Sequence, residues 1–359
     1  MAMTDFPANS PLAVQLWAKR LAVEAYNQTW FRRFVGNDAN SVIQMKEETS
    51  KNAGTSITIG LRMQFQGAGV LGDGILEGTE EALLTYADTV YVNQLRHAVS
   101  AGGRMSQQRV PFALREECRA GLADWWARRL DYSFFNQIGG NTLETDVRFT
   151  GNNATLAPDT DHLLLPSGVA NEGALTSSNT FNIQMIDDAV EAAQMLSANG
   201  LPVIRPLRIN GEDKYVIFLH PFQVTDLRTN TNTGQWLDIE KAAMTGGQVT
   251  KNPIYTGALG EYNGTIIHSA YRLPQGIYNG AAVSNVYRAV FCGAQACVLA
   301  YGRGDSKERF TWVEEVFDYG NILGVSAGTI FGLKKLTFNS ADFGCITMPT
   351  WAEKHTSIG

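Results

Sequence analysis

Apolar residues recur at every fourth position from Leu114 through Cys118, Leu122, Trp126, Leu130 and Phe134 to Ile138. That spacing keeps them on one slowly drifting face of an α-helix. Trp125 and Phe135 widen the stripe, while Arg115, Glu116, Glu117, Arg119, Asp124, Arg128, Arg129 and Asp131 supply a solvated face of mixed sign. Pro111 is tolerated only near a helix start, and the Gly139-Gly140 pair ends the run, so a helix is predicted over 106–140. About 28 helical residues would span roughly 40 Å. On this segment alone, a strut for other elements and an ordinary long core helix are both open.

A second helix opens at Ser10-Pro11, a capping residue followed by proline, and is expected to run to about Phe34 behind a polar, loose tail. Residues 56–65 alternate: Ile57, Ile59, Leu61, Met63 and Phe65 on one side, Thr58, Gly60, Arg62 and Gln64 on the other. This is the pattern of a half-buried strand. The glycine-rich GAGVLGDGILEG follows, and even spacing returns at Leu84, Tyr86, Val90 and Val92, broken by Asp88. The pattern predicts a long hairpin with a mobile glycine-rich tip. A two-stranded ribbon is marginal alone and needs something to lie on, which another copy of the chain would provide. Residues 141–182, rich in Asn, Thr, Ser, Gly and Asp, read as a long loop. Beyond them a helix capped by Asn182 is expected over 183–198 and stopped by Asn199-Gly200. A strand at 215–219, a short helix at 221–227, a helical piece at 236–244, and strands at 265–269 and 287–291 follow. The stretch 310–348 is strand-like and aromatic. The fold class is α+β, without βαβ alternation or internal repeats.

Composition sharpens this picture. Of 359 residues, 44% are hydrophobic and only 18% charged, with seven Trp, twelve Tyr and seventeen Phe. Low charge with many aromatics suits a surface covered by partners. The net charge of −6 and the lack of a basic patch argue against sequence-specific nucleic-acid binding. No apolar run approaches membrane-spanning length and the start shows no signal segment, so a cytosolic product without membrane contact is expected. Cys118, Cys292, Cys297 and Cys345 form no CxxC pair and read as reduced core residues.

Candidate chemistry is thin. GAGVLG (Gly67, Gly69, Gly72) matches a dinucleotide-binding string, but Gly74 and Gly78 break the helix that must follow. GVSAG around Ser326, with Asp342 and His355 downstream, matches a nucleophile elbow. A strand follows that serine, however, and the spacing leaves no room for the units that bring acid and histidine to it. His97, His162, His220, His268 and His355 lack metal-ligand spacing, and His220 before Pro221 reads as packed or capping. No catalytic constellation, cofactor or metal is expected.

Several long strings carry a resemblance: WWARRLDYSFFNQIGG (125–140), DKYVIFLHPFQVTDLR (213–228), GALGEYNGTIIHSAYRLP (257–274) and DYGNILGVSAGTIFGLKKLTFNSADFG (318–344). Together with the order of arm, hairpin, long helix, mixed domain and aromatic return, the chain resembles tailed-bacteriophage major capsid proteins of the Hong Kong 97 fold, in their N4-like branch. The resemblance implies an N-terminal arm (1–55), an extended loop over a neighbour (56–105), a peripheral domain with a spine helix (106–200), an axial domain (201–309) and return strands (310–359). It implies self-assembly into pentamers and hexamers of an icosahedral shell. Portal, scaffold and cementing proteins would be further partners, and packaged double-stranded DNA would be held non-specifically. Assembly would take place in the bacterial host cytoplasm. A cellular nanocompartment shell of the same fold is the alternative. Trp17, Trp30, Arg62, Gly69, Asp73 and Glu77 stand, by position, where the arm and hairpin would meet neighbours, and each is equally placed to pack within its own subunit. Some members of the wider fold weld the shell from a lysine in this loop; here no lysine occurs between Lys51 and Lys214, so non-covalent holding is expected.

Overall fold

The computed structural model describes residues 11–47, 54–63, 65, 67–111, 113–196, 201–209, 211–230, 259–302 and 309–355. The tail before Pro11, the stop at Asn199-Gly200 and the helical piece at 236–244 lie outside the described residues.

The helices are α1 (Pro11–Gln28), α2 (Arg104–Arg109), α3 (Leu114–Ile138), α4 (Ile183–Met195) and α5 (Pro221–Thr229). The single helix predicted over 106–140 is therefore two. Pro111 cannot donate to a helical ladder and drives its predecessor out of the helical region; Val110 is extended, at φ −111° and ψ 140°. From Leu114 on, the fourfold stripe holds: Cys118, Leu122, Trp126, Leu130, Phe134 and Ile138 are all buried. Glu116 and Glu117 occupy the first turn, where carboxylates favour the amino end of the helix dipole. Gly140, at φ 60°, ends the helix.

The helix expected to reach Phe34 ends at Gln28 and continues as a 3-10 turn, Trp30–Phe34. The cause is a competing acceptor on α3. The Trp30 and Phe31 amides donate to Asp131 Oδ1 (3.0 and 3.5 Å) instead of extending the ladder.

The strands are β1 (Val35–Gly36), β2 (Ile43–Lys46), β3 (Ser56–Arg62), β4 (Thr85–Tyr91), β5 (Asn93–Ser100), β6 (Leu207–Ile209), β7 (Glu212–Leu219), β8 (Gly260–Tyr262), β9 (Thr265–Ser269), β10 (Gln275–Tyr278), β11 (Ala281–Cys292), β12 (Cys297–Tyr301), β13 (Thr311–Phe317), β14 (Ile322–Lys335), β15 (Thr337–Phe338), β16 (Ala341–Asp342) and β17 (Cys345–Trp351). A six-stranded sheet runs β1-β2-β12-β14-β13, with β5 on the other side of β14. A seven-stranded sheet runs β10-β11-β7-β9-β8, with β17 on β11 and β6 on β7. β3 and β4 form their own hairpin.

Three placements cut across the segments drawn from the sequence. Residues 93–100, grouped with the extended loop, pair with β14; 297–301, grouped with the axial segment, pair with β14 and β2; 345–351 pair with β11. β7 and β9 run parallel, with α5 in the connection, a single β-α-β unit within the α+β fold.

α3 packs against the six-stranded sheet and α1, while its carboxyl half also meets Phe218, Leu273 and Val290 of the seven-stranded sheet region. α4 and α5 share a second core with Ile217, Phe291 and Met348. Asn182 caps α4 through the Met185 amide at 3.2 Å. His220 caps α5: its Nδ1 accepts from the Phe222 amide at 3.3 Å, and its own amide donates to Gln223 Oε1 at 2.9 Å. Burial pushes the His220 imidazole down to about 4.

Residues 141–182 contain turns, two 3-10 segments, Val147–Phe149 and Glu172–Ala174, and two isolated β-bridges, Leu163 to Thr347 and Thr180 to Trp351, and they are firmly tied. Glu172 and Arg288, both about 4% exposed, form an ion pair at 2.7 Å. The same guanidinium donates Nη1 to the Gly139 and Gly140 carbonyls at 2.9 and 2.7 Å. Arg288 thus satisfies the carboxyl end of α3 from the seven-stranded sheet.

Candidate assembly interface

The hairpin has two unlike halves. In the root, Ser56 to Arg62 face Tyr91 to Thr85 in antiparallel register. Ile57, Ile59, Leu61 and Val90 turn one face onto Val298, Ala300, Leu336, Phe338 and Phe343. Asp88, the residue that broke the alternation, lies on this buried face. It pairs with Lys334 of β14, and its Oδ2 accepts from the Thr337 amide at 3.1 Å. Asn153 clasps Tyr91 at both backbone groups, accepting its N–H at 2.9 Å and donating to its carbonyl at 3.0 Å. Gly332 lets the two backbones touch: a Cβ there would sit 2.1 Å from the Tyr91 carbonyl oxygen. The root is therefore part of the body.

The tip is not. Among the described residues the last rung of the ladder is the Met63 amide to the Leu84 carbonyl, at 3.0 Å. Among the described residues from 63 to 84 there is no strand or helix. Local bonds shape the loop, such as Gly67 N to Glu81 Oε2 and Gly78 N to Glu80 Oε2, both 2.7 Å. Gly69, Gly72 and Gly78 all have positive φ, and a Cβ on any of them would meet open space. Their role is conformational, not close approach to a phosphate. Leu71 is 94% exposed, Ile75 78% and Leu76 61%. Fully burying one such side chain is worth about 1.5–3 kcal/mol, and contiguous exposed apolar surface marks an interaction site. The carboxylates of Asp73, Glu77, Glu80 and Glu81 lie among them, and no Lys or Arg occurs between Arg62 and Arg96.

Of the positions singled out from the sequence, Arg62, Gly69, Asp73 and Glu77 are exposed on this hairpin. Trp17 and Trp30 pack within their own chain. Trp17 stacks on Trp312 of β13 (centroids 5.9 Å apart) under the Arg115 guanidinium at 4.7 Å. Trp30 sits 5.3 Å from Phe135 and 5.5 Å from Phe218. Asp131, which receives the Trp30 amide, is pushed up to about 6 by burial, against the pull of its Arg272 ion pair.

The two enzyme-like strings find no constellation. Ser326 lies mid-strand in β14, Asp342 pairs with Lys335, and His355 pairs with Asp226 at 2.8 Å. All four cysteines are free and buried, and burial pushes the Cys345 thiol up to about 12. Among the described residues no group of His, Cys, Asp and Glu is arranged to hold a metal ion, and no helix is long and apolar enough to cross a membrane.

A helix-spined body of two sheets, with an outstretched hairpin whose apolar tip is left uncovered, suits a shell-building protein. The comparisons with known proteins specify which. A family model described as "Phage capsid protein" matches residues 5–353, and the chain belongs to that family: it is a structural protein of the virion shell, with the Hong Kong 97-like fold. The major capsid protein of Pseudomonas phage KPP25 is 30% identical over 369 residues, covering 93% of each chain. Among solved structures, the capsid of Ralstonia phage GP4 superposes with a TM-score of 0.79 at 35% identity, covering 99% of this chain and 100% of that one. The cyanophage Pam1 capsid shares the fold at 21% identity and a TM-score of 0.72, over 91% and 93% of the two chains.

Proposed function

We propose that the chain tiles as pentamers and hexamers into an icosahedral shell around packaged double-stranded DNA, using the hairpin tip as a clasp on the neighbouring subunit. Portal, scaffold and cementing proteins complete the particle, which is assembled in the bacterial host cytoplasm. The five segments 1–55, 56–105, 106–200, 201–309 and 310–359 serve as arm, extended loop, peripheral domain, axial domain and return strands, on the plan of the N4-like branch. Arg62, Gly69, Asp73 and Glu77 contribute to subunit contacts.

The observation that carries this reading is a hairpin whose root is locked into the body and whose tip has no core of its own. Each tip contact is modest, but every subunit is gripped by several neighbours at once, so weak contacts sum to a closed surface. An acidic subunit also contains DNA without sticking to it. The test is negative-stain microscopy of the expressed full chain: hollow shells, or rings of five or six, are expected, and a solitary globule would overturn the reading. With no lysine in the hairpin to weld the subunits, particles boiled in detergent should run as one monomer band on a gel. A ladder of covalent multimers would contradict this.

A further inference from the structure

We infer that Cys292 and Cys345 are a latent covalent staple: in a medium that contains hydrogen peroxide they close a disulfide across β11 and β17, within one subunit. The inference stands apart from the shell reading above, since the bond forms in a single chain whether or not that chain has assembled.

Both thiols are free and fully buried. They stand opposite each other in the antiparallel register, as the last residue of β11 and the first of β17. The next pair outward is hydrogen-bonded: the Gly293 amide donates to the Gly344 carbonyl at 2.9 Å. Bonded and non-bonded pairs alternate along such a ladder, so Cys292 and Cys345 are a non-bonded pair, with Cα atoms about 4.5 Å apart. That lies inside the window of roughly 4.4–6.8 Å that a disulfide requires. Directly opposed residues also send their side chains to one face. Both cysteines lie in the core with Ala294 and Ala296, while their neighbours Phe291 and Ile346 lie in the second core. Tight packing fixes the two strand ends: a Cβ at Gly293 would sit 2.4 Å from the Arg205 carbonyl oxygen, and one at Gly344 2.6 Å from Ala296 Cα. The other two thiols are placed differently. Cys297, at the start of β12, donates to the Lys334 carbonyl at 3.1 Å, and Cys118 is on α3.

Hydrogen peroxide balances the reaction. One sulfur, as thiolate, attacks a peroxide oxygen and becomes a sulfenic acid, and one water leaves. The second sulfur attacks the first, forms the S–S bond and expels the sulfenic oxygen as a second water. Two thiols and one peroxide thus give one disulfide and two waters. Burial pushes both thiols up, so the native chain holds little thiolate and closure is slow. It waits on local opening, which begins at the strand end with the Gly293–Gly344 rung. A particle standing outside a cell is in an oxidising medium, and that is when the staple closes. The bond turns the long excursion from residue 292 to residue 345 into a covalent loop, which narrows the unfolded ensemble. It lies within one chain, so the single band expected after boiling in detergent is unchanged.

The test is a thiol count on the full chain. The purified protein is held in dilute hydrogen peroxide, quenched with catalase, unfolded in guanidinium chloride and titrated. The four free thiols should fall to two, and peptide mapping should find Cys292 joined to Cys345, the joined peptides weighing two hydrogens less than the separate thiols. The treated chain should unfold at a higher denaturant concentration than the untreated one, and dithiothreitol should reverse both changes. Cys118→Ala and Cys297→Ala should each still lose two thiols, whereas Cys292→Ala should leave Cys345 without a disulfide. If Cys292→Ala does not fold, the map of the native chain decides alone. Four thiols surviving the treatment, cysteines that gain oxygen without an S–S bond, or a disulfide that contains Cys118 or Cys297 would each overturn the proposal.

Discussion

The junction between α3 and the seven-stranded sheet handles polar and apolar groups in the opposite way from the hairpin tip. At the junction, charges are buried and each is answered: Arg288 by Glu172 and two helix-end carbonyls, Asp131 by Arg272 and the Trp30 amide. At the tip, apolar side chains stand in water, and short backbone bonds shape the loop without covering them. A buried charge is tolerated only when fully partnered, and an exposed apolar run persists only when something else covers it. The junction is therefore complete within one chain, and the tip is not. The comparison teaches that the body's stability does not rest on the tip, so substitutions at the two places should have different effects.

The sharpest break is at the junction. Arg288→Met would leave Glu172 charged and unpaired in a dry site and strip the cap from the end of α3. A loss of about 3–5 kcal/mol is expected, read as a lower denaturant midpoint of the subunit; an unchanged midpoint would show that the pair holds nothing. Next is pH. His220 is neutral in the folded chain down to about 4, whereas the unfolded chain takes up a proton near 6.5. Between those values His220 binds more protons in the unfolded state, so its contribution to stability falls as pH drops from about 6.5 to 4, by up to roughly 3 kcal/mol, while Asp131, raised to about 6, acts the other way. His220→Asn keeps a capping acceptor and should flatten that part of the stability curve; an equally steep curve would place the titration elsewhere. The smallest effect on stability is at the tip. Leu71→Ser with Ile75→Ser should move subunit stability by no more than about 0.5 kcal/mol, while assembly seen by microscopy is lost. A large drop in melting point instead would mean that the tip has a core in its own chain.

What could be read from the sequence was whatever repeats locally. The stripe from Leu114 to Ile138 and the alternation of Ile57, Ile59 and Leu61 hold because side-chain direction has a fixed period in helix and strand. Asn182 and His220 could be read as caps because a cap acts within three residues. Asp88 was visible as a flaw in the pattern, but its partner Lys334 lies 246 residues away, and nothing local signals it. Arg288 was hidden for the same reason, since Glu172 and Gly139 come together only in three dimensions. The stop at Gln28 depended on Asp131, a hundred residues further on. The exposed Tyr319 ring went unread because it sits in a string that looks like an ordinary turn, and its exposure depends on where the sheet ends.

β14 runs unbroken for fourteen residues, laddered to β12 and β13 on one side and β5 on the other. The hairpin root rests against it at Gly332, and the turn from β13 enters it at Ile322. A pull on the hairpin would therefore be carried into the body along this strand, as tension in a tie-rod. Rungs loaded lengthwise must give way together, whereas a pull across them would open them singly. Expansion from within would be borne by the stiffest direction the backbone offers.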